Sequence, residues 1–380
     1  MTTPEVPFVP GLAGVVAAKS AISDIDGQRG ILRYRGYAIE ELAAKSTFEE
    51  SAYLILDGEL PTKTQLDRFD KNLKHDRNIE PPLMDMIKVF PKSGHPMSAL
   101  QTAVAAMGLL YPRSIEDDAT NDAAGIRLIA QTPTIIAAFD RVRRGKEVVP
   151  PRDDLSHATN FLYMITGEVP SEVAARAFDI CLILHLEHSQ SVAAFTAMVA
   201  GSTTADPYST MASAIGSLSG PLHGGASERV LVMLNEIGSP DKAKAAIESK
   251  IEKKERIMGM GHREYKTMDP RATILKGLSE TVFQKLGRSP LFDIALEAEK
   301  VVIDRLSPRG IWPNVDFYSG IVYDKLGISV DLFSPVFAIA RMAGWVAHWR
   351  EQIADNRIFR PSQIYVGSGD RGYTPIEKRG

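Results

Sequence analysis

Apolar residues recur three and four positions apart along most of this chain, the spacing that lines one face of an α-helix. Ile274, Leu275, Leu278 and Val282 form one such face. The pattern predicts helices over 39–57, 62–75, 97–110, 122–143, 153–166, 171–187, 190–201, 208–218, 224–236, 240–253, 270–286, 289–306, 315–325 and 333–354. The breaks fall on clusters such as 58–61, 111–113 and 307–310, rich in residues that resist helical continuation. One early stretch differs. Residues 22–35 have a β-branched and aromatic character and contain Asp26-Gly27, a hairpin turn signal. The predicted fold class is all-α with a small N-terminal β element.

At 380 residues the chain is long for one core and suggests about two or three domains. Its formal charge of −3 gives no basic field for nucleic acid or an acidic membrane. The single cysteine, Cys181, cannot form an internal disulfide, which fits a reducing compartment. Lying in an apolar run, it reads as a small buried side chain. The N-terminus lacks the basic and apolar regions of a secretory signal and the Arg-rich character of a transit peptide. The uncharged stretches 189–205 and 207–227 hold too much Ser, Thr, Gly and Pro to span a bilayer. A cytoplasmic protein without membrane or nucleic-acid partners is expected. The basic cluster Arg141, Arg143, Arg144 and Lys146 sits at a predicted helix C-terminus, where the helix dipole favours cations.

The chemistry concentrates in a few motifs. Gly259-Met-Gly-His-Arg-Glu-Tyr-Lys-Thr-Met-Asp-Pro-Arg271 places His262 behind a Gly-x-Gly turn. Asp269 and Pro270 then open a helix, and Arg271 falls in its first turn, where free N–H groups favour an anion. His223 lies in Gly220-Pro-Leu-His-Gly-Gly225, ahead of an amphipathic helix. A helix N-terminus disfavours the charged imidazole, and a neutral one can donate to a developing oxyanion. A turn histidine bonded locally fits this motif equally well. Asp316 in Pro313-Asn-Val-Asp316 lies between Val315 and Phe317. It suits either a helix-dipole acid or a partly desolvated base. Arg341 lies in the apolar run Phe337-Ala-Ile-Ala-Arg-Met-Ala-Gly-Trp345. A buried guanidinium needs an anion, supplied by a structural carboxylate or by a ligand. His185 and His188 end another apolar helix, and His75, His95, His157 and His348 read as structural. The spacing His185-Leu-Glu-His188 matches no common zinc signature, so no metal is expected.

Taken together, these motifs resemble those of the citrate synthase family. The match rests on Gly220-Pro-Leu-His-Gly-Gly225, on the segment from Gly259-Met-Gly-His to Asp269-Pro-Arg271, and on Pro313-Asn-Val-Asp316. It extends to His185-Leu-Glu-His-Ser189, to the helix around Arg341, and to the early segment Asp24-Ile-Asp-Gly-Gln-Arg-Gly-Ile-Leu-Arg-Tyr-Arg-Gly36. Order and spacing are family-like over nearly the whole chain. The pattern departs at Glu264, where the family more often has a small aliphatic residue.

The resemblance implies a two-domain helical fold: a large domain over 1–220 and 329–380, a small domain over 221–328, and a cleft between them. It implies condensation of acetyl-CoA with oxaloacetate, then hydrolysis to citrate and CoA, with acetyl-CoA as co-substrate and no cofactor. His223, His262 and Asp316 match the family's catalytic residues. His188, Arg271 and Arg341 match its oxaloacetate ligands, and Arg360 matches a ligand supplied by the second subunit of a homodimer. Lys266 matches a cation that meets CoA phosphates, with Met258, Gly259, Met260 and Gly261 near the adenine. The nearest rival is a 2-methylcitrate synthase, which uses propionyl-CoA. A further rival from another class is a catalytically idle scaffold of the same fold.

Overall fold

The computed structural model describes residues 8–111, 115 and 117–379. The predicted break at 111–113 lies outside them at Pro112 and Arg113. A small antiparallel sheet opens the fold, with β1 (Ser23–Asp26), β2 (Ile31–Tyr34) and β3 (Tyr37–Ala38) in that order. Ser23 faces Tyr34 across the first ladder, and Asp26 faces Ile31.

Helices follow: α1 (Ile39–Lys45), α2 (Phe48–Asp57), α3 (Lys63–His75), α4 (Pro81–Lys88), α5 (Pro96–Leu110), α6 (Asp118–Arg143), α7 (His157–Thr166) and α8 (Glu172–His185). Next come α9 (Val192–Gly201), α10 (Pro207–Leu218), α11 (Ala226–Ile237), α12 (Pro240–Glu252), α13 (Pro270–Leu286), α14 (Pro290–Leu306), α15 (Val315–Lys325) and α16 (Phe333–Ala354). The all-α class with a small β element is the observed architecture.

Side-chain caps explain most boundaries and most departures from the predicted ones. The run 39–57 is two helices, because the Thr47 hydroxyl accepts from the Glu50 N–H and restarts the chain as α2. Likewise Ser156 caps α7 by accepting from Thr159 N–H, which moves its start from 153 to His157. The unpredicted α4 has only 8 residues and begins Pro-Pro, too short for a periodic signal. The predicted helix 171–187 ends at His185, and the backbone reaches a positive φ of 53° at Ser189.

Helix α16 forms the centre, in contact with α2, α5, α6, α8, α9, α10 and α11. Its Trp345 and Trp349 are fully buried, and burying a large apolar side chain contributes about 1.5–3 kcal/mol. Residues 330–354 are long and apolar enough to cross a membrane, yet 83% of the most apolar window lies inside the protein. Arg341 and His348 sit on this same helix. Beside the centre, α13 and α11 both pack on α15, and α12 packs on α14.

The structural histidines find ordinary partners: His95 accepts from Met97 N–H to cap α5, and His157 stacks on Phe48. Cys181 is a buried free thiol. Arg143 of the basic cluster pairs with Asp140 and Asp331.

The hairpin turn between β1 and β2 lies against the segment that follows His262. Lys266 N–H donates to Gly27 O at 2.9 Å. A Cβ on Gly27 would sit 2.1 Å from the Glu264 carbonyl oxygen. Gly27→Ala must therefore push two backbones apart. It should lower stability by about 1–3 kcal/mol, as overpacking does, which denaturant unfolding would measure; an unchanged midpoint would refute the tight contact.

Candidate active site

Two loops build the floor of the site, and their backbones are zipped together. Gly261 N–H donates to Trp312 O at 2.8 Å, and Asn314 N–H donates to Gly259 O at 2.9 Å. The Asn314 amide also donates to Gly261 O at 2.8 Å, while its oxygen accepts from Asp316 N–H at 3.0 Å. One capping residue thus locks the turn before His262 to the helix start that carries Asp316. Gly259 has φ of 75°, and a Cβ there would lie 2.8 Å from Val230 Cγ2. Only glycine fits that approach.

His262 turns on this floor. Its Nδ1 accepts from Glu264 N–H at 3.0 Å and from Tyr265 N–H at 3.4 Å. The ring proton is then on Nε2. The departure at Glu264 is harmless here, because the residue is exposed and contributes its backbone. The His262 ring meets His188 at a centroid distance of 5.0 Å and Tyr265 at 4.9 Å. The Tyr265 hydroxyl lies 3.2 Å from His188 Nε2. Tyr265 is a site residue that sequence reasoning missed, since an aromatic one turn before a cap reads as core.

Arg271 is only 2% exposed. Its Nε and Nη2 bond to both oxygens of Asp269 at 3.0 and 2.8 Å. Asp269 also accepts from Val315 N–H at 3.2 Å, so it ties α13 to α15 besides capping. Burial opposes the charge of Arg271, but Asp269 outweighs it and holds the guanidinium above its usual range. Arg341 is equally buried and has no ion-pair partner among the described residues. Its Nε donates to His185 O at 2.7 Å and its Nη1 to Ser191 Oγ at 3.4 Å, and its plane lies 4.7 Å over Phe337. Burial lowers it to about 10. It stays charged at neutral pH.

His223 packs toward the same Phe337, at 6.5 Å. Its Nε2 accepts from Ala193 N–H at 3.3 Å, which leaves the proton on Nδ1. Burial, then Arg341, lowers its pKa to about 4. The ring is neutral, as its place before a helix suggests, but burial rather than the helix end is the main cause. His262 is lowered to about 4 by burial and then by Arg271, and burial leads the lowering of His188 too.

Asp316 keeps part of its surface open, yet its carboxyl is crowded by protein. Burial raises it to about 6 against the opposing pull of Arg271. His188, His223, His262, Arg271, Arg341 and Asp316 thus form one cluster, linked by the contact of the His188 and His262 rings and by the pull of the two guanidiniums on the acid and the imidazoles. Two candidates stand outside it. Lys266 is exposed, its Nζ donating to Arg263 O at 2.8 Å. Arg360 is exposed in the irregular segment after α16. Just before it, Phe359 N–H donates to Ser202 Oγ at 3.2 Å and its ring meets Phe195.

A family model described as citrate synthase, C-terminal domain, matches residues 11–362. The chain belongs to the citrate synthase family. The citrate synthase of Synechocystis sp. is 51% identical over 380 residues, covering 100% of this chain and 96% of that one. That of Acidithiobacillus ferridurans is 50% identical, covering 98% of each. The crystal structure of citrate synthase from Pyrobaculum aerophilum superposes with a TM-score of 0.93 at 43% identity, covering 100% of this chain and 97% of that one. The Thermoplasma acidophilum enzyme in ternary complex with carboxymethyl coenzyme A and oxaloacetate gives 0.92 at 32% identity, with 97% and 98% covered.

The raised Asp316 carboxyl has a sign that can be checked. Its folded pKa, about 6, exceeds the unfolded value of about 3.9. The two states differ least below the unfolded value, where both are protonated. Stability is lost as pH rises from there through about 6, because folding then confines an ion. Asp316→Asn should therefore be more stable than the parent above pH 6, by something on the order of 1–3 kcal/mol, and converge with it in acid. Thermal unfolding across pH tests this; a less stable variant at pH 8 would contradict the burial account.

Proposed function

We propose that this chain condenses acetyl-CoA with oxaloacetate and water, giving citrate and CoA, and that the cluster around Asp316 is where it does so. The observation that carries the reading is the company Asp316 keeps. A carboxyl raised to about 6 lies in one cluster with two neutral imidazoles, each with a defined N–H, and two buried guanidiniums. A thioester α-proton is weakly acidic, so a base and an oxyanion donor must act on the same carbonyl together.

In this mechanism ionised Asp316 takes a proton from the acetyl methyl group. The Nδ1–H of His223 donates to the thioester oxygen as the enol forms. The enol carbon attacks the oxaloacetate ketone, and the Nε2–H of His262 donates to the new alkoxide. Water then cleaves the thioester of citryl-CoA. His188, Arg271 and Arg341 hold the dicarboxylate, with guanidiniums suited to paired bonds. Lys266 meets the CoA phosphates, and the backbone of Met258, Gly259, Met260 and Gly261 approaches the adenine. No metal or other cofactor enters the scheme. The division into a large domain (1–220 and 329–380) and a small one (221–328), closing over the substrate, belongs to the same proposal. So does a cytoplasmic location.

The deciding assay follows CoA release with oxaloacetate and either acetyl-CoA or propionyl-CoA. A higher kcat/KM for acetyl-CoA is expected. One methylene changes discrimination by only about 1–3 kcal/mol, and a clear propionyl preference would reassign the chain as a 2-methylcitrate synthase. No release with either thioester would leave the idle-scaffold reading.

Arg360 is proposed to act in the site of a second subunit of a homodimer. Its exposure at the end of a segment pinned to α9 supports that reach. Subunits carrying His262→Ala and subunits carrying Arg360→Ala should each be nearly inactive alone. In a mixed dimer one site has both residues intact, so random pairing should restore about one site in four. Verified mixed dimers with no activity above the parents would remove Arg360 from the site.

A further inference from the structure

His188 stands on a short segment that belongs to no helix, between the end of α8 and the start of α9. Something must hold it, because Ser189 beside it has a φ of 53°, a conformation that side-chain-bearing residues adopt at a cost. The holding groups come from the other end of the sequence. Ser23 Oγ donates to Glu187 Oε1 at 3.0 Å and accepts from Ser189 N–H at 3.0 Å. One hydroxyl thus grips the residues on both sides of His188. The Tyr34 hydroxyl donates to Glu187 O at 2.9 Å and receives Glu187 N–H at 3.3 Å. Ser23 and Tyr34 are directly opposed in the β1–β2 ladder, so a single rung of the hairpin supplies both hydroxyls.

From the other side, α16 closes the grip. His348 Nε2 lies 3.0 Å from Glu187 Oε1, and both side chains are fully buried. A Cβ on Gly344 would stand 2.6 Å from Glu187 Oε2 and 2.4 Å from Leu186 O. The helix therefore meets this segment with no side chain between. Arg341, one turn before Gly344, bonds to His185 O at the start of the same segment.

We propose that Ser23, Tyr34, Glu187 and His348 are positioning residues that aim His188, and with it Arg341, at the oxaloacetate carboxylates. The proposal rests on the functional reading above only for the name of the ligand. The hairpin is thereby a working part of the site.

Ser23→Ala is the sharpest test, because it removes one partly exposed hydroxyl and leaves the core intact. Glu187→Ala removes the central acceptor, and Glu187→Gln retains an oxygen able to accept from both Ser23 and His348. Oxaloacetate affinity is measured by calorimetry, without turnover, and KM for each substrate by CoA release. Ser23→Ala and Glu187→Ala should weaken oxaloacetate roughly 5- to 100-fold, the range expected when a buried group loses its partner. The KM for acetyl-CoA should change less than about twofold, since the grip touches only the residues around His188. Glu187→Gln should recover most of the affinity. Because calorimetry needs no reaction, a wild type that binds oxaloacetate but forms no citrate would overturn the proposed reaction and still decide this inference. Ser23→Ala at wild-type oxaloacetate affinity would overturn it. So would a Glu187→Ala variant that loses thermal stability while binding oxaloacetate as before, which is the signature of a purely structural role.

Discussion

Arg271 and Arg341 are both 2% exposed, and both stay charged at neutral pH. A desolvated guanidinium is tolerable only beside negative charge or a full set of acceptors. Arg271 has Asp269 bidentately. Arg341 has two neutral oxygens and the face of Phe337, and otherwise feels Glu187 at longer range. That shortfall organises the neighbourhood. The Glu187 carboxylate, buried against His348, supplies part of the negative charge that Arg341 lacks, and α16 comes close to the 186–187 segment because Gly344 puts no side chain between them. In the proposed reaction the carboxylates of oxaloacetate supply the missing negative charge.

The arrangement around Asp269 shows how one carboxylate can serve local structure and chemistry together. It caps α13, pairs with Arg271 and receives Val315 N–H from α15. Asn314 does the equivalent work between the 259–261 turn and Asp316. Through these two caps, Asp316 and the turn that carries His262 are fixed by hydrogen bonds to the backbone rather than by side-chain packing. Such contacts shift little with rotamer changes nearby, which suits groups that must be held within a few tenths of an ångström.

Much of this was legible in the sequence because it is written in local signals. Asp269-Pro270 and Asn314 announce helix starts, and the structure has both. The apolar surroundings of Arg341 announced a buried cation. Signals carried across the chain were not legible. Ser23 and Tyr34 lie more than a hundred residues from the 187–189 segment they hold, and nothing in either sequence window mentions the other. His348 reads as structural from its own helix, and its bond to Glu187 appears only when α16 lies against the 185–189 segment. Tyr265 was missed for a related reason, since its hydroxyl matters only once His188 is beside it. The split of 39–57 is different: Thr47 is a local signal, and the apolar faces of α1 (Ile39, Leu42, Ala43) and α2 (Phe48, Ala52, Ile55) do not share one helical phase, so the break was legible in the sequence.

The electrostatics of the cluster follow a single order of strength. For His223, His262 and His188, burial acts in the same direction as a nearby guanidinium (Arg341 for His223, Arg271 for His262, both for His188), and all three imidazoles are neutral. For Asp316 the two effects oppose each other, and burial wins, leaving the carboxyl near 6. Field alone would have made Asp316 a weak base, held ionised by Arg271 and Arg341. Burial alone would have raised it further. Acting together, they leave a carboxylate that is ionised near neutrality and still basic enough to take a proton. The same balance keeps the imidazoles as hydrogen-bond donors with no proton to shed first. In the proposed reaction the cationic arginines therefore do more than hold the dicarboxylate. Arg271 and Arg341 also pull Asp316 back toward its ionised form, and each adds to the burial that keeps the imidazole beside it neutral.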